Sequence, residues 1–250
     1  LTTAARVADP DLIVWPEAAL PVTIPSDIKN LPSVSGPLVR SDLLSGAASV
    51  VMDGANISFR NSAFVISPSG RVLYRYDKQH LVPFGEYVPL SGILGRIVPA
   101  VAGNFTAGST SKLAEINGQK YGILICYEVL FPDLTIDQVR QGANFLVNIT
   151  NDAWFDETSG PYQHVLFGIF RAIETRRPVV RSANTGITTW FDASGQMHTP
   201  LELFTRGYIV ADVAPADNLT FYVRHPYCVP ILTFLLLIIS VVRRGPRDEV

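Results

Sequence analysis

The feature that most limits what this chain can become is a run near its C-terminal end. Residues 227–242 read YCVPILTFLLLIISVV, 16 residues without a charge. The run is apolar on every side rather than along one stripe, so as a helix it must be enclosed, by protein core or by lipid. A lone membrane span needs about 20 apolar residues. Extension back through Pro226 to Phe221 supplies them and places Arg224 and His225 at the level of an interface. Arg243, Arg244 and Arg247 follow at once, and a basic cluster after a span marks its cytoplasmic flank. Arg206 and Arg224 on the other side keep the asymmetry modest. The expectation is a transmembrane helix over residues 223–242, a cytoplasmic tail over 243–250, and a domain over 1–222 across the membrane. A buried core helix is the alternative. The chain opens LTTAARVADP, with neither Met nor a signal-peptide pattern. A large domain crosses a membrane only behind an upstream signal, so an N-terminal portion is expected to precede it.

The remaining residues have the composition of a folded domain. Hydrophobic residues make up 48% of the chain and the net charge is −2, which argues against a nucleic-acid partner. Two cysteines, Cys126 and Cys228, do not make a disulfide framework. Short apolar runs bounded by turn residues recur along residues 1–222. Residues 11–15 (DLIVW), stopped by Pro16, read as a buried strand, as do 144–149, and 48–52 read as a further strand. Residues 61–67 and 71–77 flank Pro68-Ser69-Gly70 as a hairpin, and 112–116 and 119–125 flank Asn117-Gly118, the strongest short hairpin signal. Strands are also expected at 179–183, 188–192 and 208–213. Residues 23–37, rich in Pro and Ser, read as loop. Leu166, Ile169, Phe170 and Ile173 follow helical spacing within 162–177, which Pro178 ends. Strands with interspersed helices imply a layered α/β sandwich. Residues 90–105 (LSGILGRIVPAVAGNF) are apolar yet broken by Gly and Pro. They read either as a loop packed on its own core or as a flap at the membrane surface, with Ile93, Leu94, Ile97 and Val98 facing lipid and admitting substrate.

Three chemically capable residues fall just past strand ends, where α/β sheets assemble their sites. These are Glu17, Lys78 and Cys126. A thiol needs a base to become a nucleophile at neutral pH. A buried glutamate can be that base, and a lysine ammonium can stabilise both the thiolate and an oxyanion. Taken singly, each has an ordinary structural reading: an inert buried thiol, a turn glutamate, a solvated lysine. His80 and His164 show no Cys or Asp partner by spacing. No His/Cys/Asp cluster has metal-ligand spacing, and no cofactor is called for.

Local context changes the balance. IVWPEAALP (residues 13–21), YDKQHLVPFGEYVP (76–89) and ICYEVLFPD (125–133) resemble the nitrilase, or carbon–nitrogen hydrolase, superfamily, in its order Glu, Lys, Cys and 61 and 48 residues apart. The resemblance runs from about residue 10 to 213. It implies a nitrilase-like α-β-β-α sandwich, with Glu17 as general base, Lys78 as oxyanion stabiliser, Cys126 as nucleophile and Glu86 supporting them. With NITNDAWF (148–155) and RPVVRSANTGIT (177–188), followed by a span and arginines, the chain looks like the apolipoprotein N-acyltransferases within that superfamily, in which Tyr127 and Glu128 are also functional. That family's membrane bundle, the fold's first strand and a tryptophan-containing loop are expected upstream of residue 1. The resemblance implies a bacterial inner-membrane enzyme with its catalytic domain on the periplasmic side. It would move an acyl chain from a phospholipid, through a Cys126 thioester, to the amino group of a diacylglyceryl-cysteine on an apolipoprotein. A membrane-tethered amidase or nitrilase, and an inactive nitrilase-like interaction domain, are the other readings.

Overall fold

The computed structural model of the chain describes residues 1–32, 40–54, 56–89, 104–109 and 112–243. The expected flap, including Ile93, Leu94, Ile97 and Val98, lies outside the described residues, as do Arg244 and Arg247. After a one-turn helix α1 (Thr2–Ala5), the first sheet holds β1 (Leu12–Val14), β2 (Thr23–Pro25), β3 (Asp42–Asp53), β4 (Asn56–Ile66) and β5 (Val72–Asp77). Its order is β1-β3-β4-β5, with β2 also paired to β3. β1 and β2 run parallel to β3, and β3, β4 and β5 form an antiparallel meander. The second sheet holds β6 (Ala114–Ile116), β7 (Gln119–Ile125), β8 (Phe145–Asn151), β9 (Val179–Asn184), β10 (Thr188–Phe191) and β11 (Met197–Leu201), in the order β11-β10-β9-β8-β7-β6. Its centre, β7-β8-β9, is parallel. Parallel strands need crossovers. Helices α2 (Pro132–Arg140) and α3 (Gly160–Thr175) provide them.

The two sheets pack face to face. Leu44, Ala63, Val65 and Tyr76 from the first meet Tyr121, Ile123, Ile125, Phe145, Val147 and Ile149 from the second in one buried cluster. The alternate residues of the second sheet, Leu146, Val179 and Phe191, meet Ile136 and Val139 of α2 and Val165 and Ala172 of α3. Strands β7 and β8 are buried on both faces, which explains their unbroken apolar sequence. On the outer face of the first sheet, Leu43, Phe64 and Ile66 are covered by Leu20, Ile24 and Ile28. Among the described residues that cover is loop and β2 rather than a helical layer.

Several local expectations need correction. Residues 23–25, read as loop, pair with Ala48–Val50 as β2. Residues 208–213, read as a strand, pair with nothing as a strand: Tyr208 and Val210 are exposed, and only Val213 reaches the core. The second sheet is extended instead by β11, an unforeseen edge strand. At the C-terminal end, α4 (Phe221–Arg224) stops at His225, and the apolar helix α5 runs from Cys228 to Arg243. It therefore starts at Cys228 rather than residue 223. At 1.5 Å per residue it is about 24 Å long, against a hydrocarbon core of about 30 Å. Among the described residues no helix is long and apolar enough to cross a membrane. Val229, Ile231, Leu232, Phe234, Leu235 and Leu236 are all exposed, so the described residues do not enclose this helix.

Candidate active site

Glu17, Lys78 and Cys126 come from the carboxyl ends of β1, β5 and β7, and the packing of the sheets brings them together. Glu17 sits in a turn pressed against β3. A Cβ on Gly46 would lie 2.6 Å from Ala18 N and 2.7 Å from Glu17 Cα, so this close approach requires glycine. Gly46 N–H donates to Pro16 O, and Leu20 N–H donates to Gly46 O, fixing the turn from both sides. Lys78 leaves β5 with its N–H on Asn61 O and its carbonyl accepting from Gly108 N–H. Cys126 opens a short 3-10 turn, Cys126–Leu130, with a left-handed φ of 53°, a conformation that costs a non-glycine residue energy.

The Lys78 ammonium is 1% exposed and lies 2.8 Å from Glu86 Oε2 and 3.6 Å from Glu17 Oε1. Burial alone would lower its pKa. The charges of Glu17, Cys126 and Glu86 outweigh burial and hold it above the usual lysine range. Both carboxylates are held in turn by one residue that the sequence did not single out. Asn61 Nδ2, on β4, donates to Glu17 Oε1 and to Glu86 Oε1, each at 2.7 Å. Asn151 N–H donates to Glu17 Oε2 at 2.8 Å and Val82 N–H to Glu86 Oε2 at 2.9 Å. Asn61 lies in a stretch legible only as a strand; its bond partners are 44 and 25 residues away, so spacing gave no signal.

The Cys126 thiol is pushed up to about 12, first by burial and then by the charge of Glu17, with Lys78 and the Thr150 hydroxyl pulling the other way. The resting group is therefore a thiol, and any nucleophilic use of it requires a base at the moment of attack. Glu128 is completely buried and ties the Lys78 and Cys126 loops together. Its Oε1 accepts from Gln79 N–H (2.6 Å), His80 N–H (3.2 Å) and Tyr76 Oη–H (2.9 Å). Its Oε2 accepts from Ile125 N–H at 2.7 Å. Burial raises its pKa to about 7 against the pull of those N–H groups and Lys78. Tyr127 is half-buried and stands edge-on to Phe131. Cys228, exposed at the start of α5, and Cys126 are both free thiols.

The spacing argument against His164 is corrected by the structure. Its Nδ1 lies 2.9 Å from Asp152 Oδ1 and its Nε2 lies 3.3 Å from the Cys126 carbonyl oxygen. Among the described residues no group of three or more His, Cys, Asp or Glu is placed to hold a metal ion.

The class of protein follows from this arrangement. The family model for carbon–nitrogen hydrolases matches residues 1–218, and the chain belongs to that family. Solved structures agree at the level of fold. An amidase from Nesterenkonia sp. AN1, with the acetamide moiety of fluoroacetamide added covalently at its active-site cysteine, superposes with a TM-score of 0.59 at 18% identity, covering 81% of this chain and 77% of that one. Nit3 of Saccharomyces cerevisiae, a member of branch 10 of the nitrilase superfamily, gives 0.60 at 17% identity, covering 81% and 78%. In sequence, the chain is similar to bacterial apolipoprotein N-acyltransferases. It is 40% identical to that of Geobacter metallireducens over 90% of this chain and 44% of the relative. With that of Allorhizobium ampelinum it shares 37% identity over 98% of this chain and 48% of the relative. The chain thus spans about half the length of the curated relatives it matches.

Proposed function

We propose that this chain is the carbon–nitrogen hydrolase part of an enzyme that transfers an acyl chain from a membrane phospholipid to the N-terminal diacylglyceryl-cysteine of an apolipoprotein. The observation that carries the reading is a buried ammonium, Lys78, set between Glu17 and Glu86 and coupled by charge to Cys126, which sits in a strained turn. This occurs in a chain similar over most of its length to proteins of that name. Because the resting thiol is protonated, Glu17 accepts its proton as sulfur attacks the ester carbonyl. Lys78 stabilises the oxyanion. Collapse breaks the ester C–O bond, and Glu17 returns the proton to the departing lysophospholipid oxygen. The thioester keeps the acyl chain until the α-amino group of the acceptor attacks. Glu17 then takes the amine proton, and sulfur leaves as the thiolate and is reprotonated. Glu86 and Asn61 orient Lys78 and Glu17, Glu128 holds the two loops in register, and Tyr127 packs against the core cluster that includes Cys126.

Helix α5 supports a membrane setting. It is apolar all round and uncovered among the described residues. At its root is an open groove of about 560 Å³ lined by Arg140, Arg224, His225 and Tyr227, a basic and aromatic collar of the kind that sits at a bilayer interface. We place the domain on the periplasmic face of the bacterial inner membrane. The test is incubation of the intact membrane protein with radiolabelled phospholipid and a diacylglyceryl-cysteine peptide. Label in the peptide as an amide, lost with Cys126→Ser, is the expected result. Release of free fatty acid alone would make the protein a hydrolase, and no Cys126-dependent turnover would overturn the enzymatic reading.

A further inference from the structure

A second buried polar cluster touches the main chain of Cys126, separate from the Glu17–Lys78–Glu86 group. It draws Asn148 from β8, Asp152 from the turn after β8, His164 from α3 and Arg181 from β9, all buried. Two side-chain nitrogens reach the Cys126 carbonyl oxygen: His164 Nε2 at 3.3 Å and Asn148 Nδ2 at 3.5 Å. A carbonyl oxygen only accepts, so a hydrogen bond at this contact requires the hydrogen on Nε2. Asn148 also holds the carbonyl of Leu124, at 3.1 Å. Arg181 locks both donors: Nη2 donates to Asp152 Oδ2 at 2.7 Å, behind the His164–Asp152 contact, and Nη1 donates to Asn148 Oδ1. The cluster is closely fitted. A Cβ on Gly186 would fall 2.1 Å from Asp152 Oδ2.

A peptide group is planar and trans, so the carbonyl of residue 126 and the N–H of residue 127 point in opposite directions. Whatever pins the carbonyl therefore aims the N–H. The left-handed φ of Cys126 is a strained state that persists only where surrounding groups impose it. We propose that His164, seated by Asp152 and Arg181, is a positioning residue that together with Asn148 holds the 126–127 peptide with its N–H aimed at the oxyanion formed when Cys126 attacks a carbonyl. The proposal rests on the acyl-transfer reading for its chemistry, but it concerns any carbonyl substrate of this thiol.

Attack on an ester generates an oxyanion; alkylation of the same sulfur by iodoacetamide does not. The experiment compares the two rates in the intact protein, acylation by p-nitrophenyl butyrate and alkylation by iodoacetamide, both followed by mass at Cys126. His164→Phe keeps a ring and removes the donor. Acylation should fall at least about 30-fold, below the full loss of an oxyanion donor, while alkylation stays within about threefold. His164→Gln, which retains an N–H donor, should recover about tenfold of that loss. If acylation and alkylation fall together, His164 only maintains the fold, and if neither falls it positions nothing; either result overturns the proposal. Should the Phe variant not fold, Asn148→Ser, which withdraws the second donor from the same carbonyl, is read by the same ratio. Phospholipid is run in parallel. A wild type that takes butyrate but no lipid acyl chain contradicts the proposed substrate, while the ratio still decides the role of His164.

Discussion

Lys78 is the residue on which the proposed chemistry turns, because it is buried with more negative than positive charge around it. Two carboxylates hold it charged, so it has little tendency to act as a base; the proton-accepting role falls to Glu17. Glu17→Gln and Lys78→Met should therefore each reduce turnover by at least about 10²-fold, the scale for a general base or an oxyanion donor. Steady-state kinetics of acyl transfer checks this, and near-normal turnover in either folded variant would remove that residue from the mechanism. Glu128 makes a prediction about stability instead. Its carboxyl is raised from 4.5 to about 7 in the fold. Between those values the folded state keeps a proton that the unfolded chain has released, so its contribution weakens as pH rises through that window. The shift corresponds to an upper bound of ~3 kcal/mol. Glu128→Gln should flatten the decline in denaturant-measured stability between pH 5 and 7.5. An unchanged slope would mean that other groups produce it.

At the scale of elements, the legible parts were those whose causes are local. Asn117 and Gly118 both take positive φ, 49° and 76°, as a two-residue hairpin loop requires, so β6 and β7 were readable from two letters. Helix α3 ends at Arg176 in a left-handed cap just before Pro178, again a nearby signal. Residues 208–213 form a short apolar run of the kind that suits a strand, but a strand also needs a free edge, and β11 occupies the edge beside β10. Glu17, Lys78 and Cys126 were legible because strand ends and family-like strings mark them. Asn61 was not, because its partners Glu17 and Glu86 are 44 and 25 residues away; Asp152 and Arg181 fall inside family-like strings, but their pairing with His164 and Asn148 is set only by the fold. Gly46 belongs to the same group: only the fold reveals that the Glu17 turn lies against it. Gly46→Ala places a methyl group within 3 Å of that backbone and should cost about 1–3 kcal/mol. It should also lower turnover by shifting Glu17. Paired unfolding curves and kinetics test this, and full stability with full activity would show that the turn is not positioned by that contact.

At the scale of the whole molecule, the domain and its apolar helix belong to one account. Arg140 Nε donates to Val223 O, and Arg177 Nη1 donates to Asn218 O, so the segment leading to α5 is bound to the domain rather than loosely tethered. If α5 seats in the bilayer with its arginine end inward, a reporter fused after Val250 should behave as cytoplasmic and a cysteine-reactive probe outside the membrane should find Cys126. The opposite labelling would invert the topology. The most direct test of the central claim is the acyl-enzyme itself. The intact protein is incubated with phospholipid alone, quenched in acid and weighed. The expected result is a mass gain of one acyl chain, mapped to Cys126, absent in Cys126→Ser and discharged by a diacylglyceryl-cysteine peptide. A folded protein whose Cys126 stays unmodified, or whose acyl group maps to another residue, would contradict it.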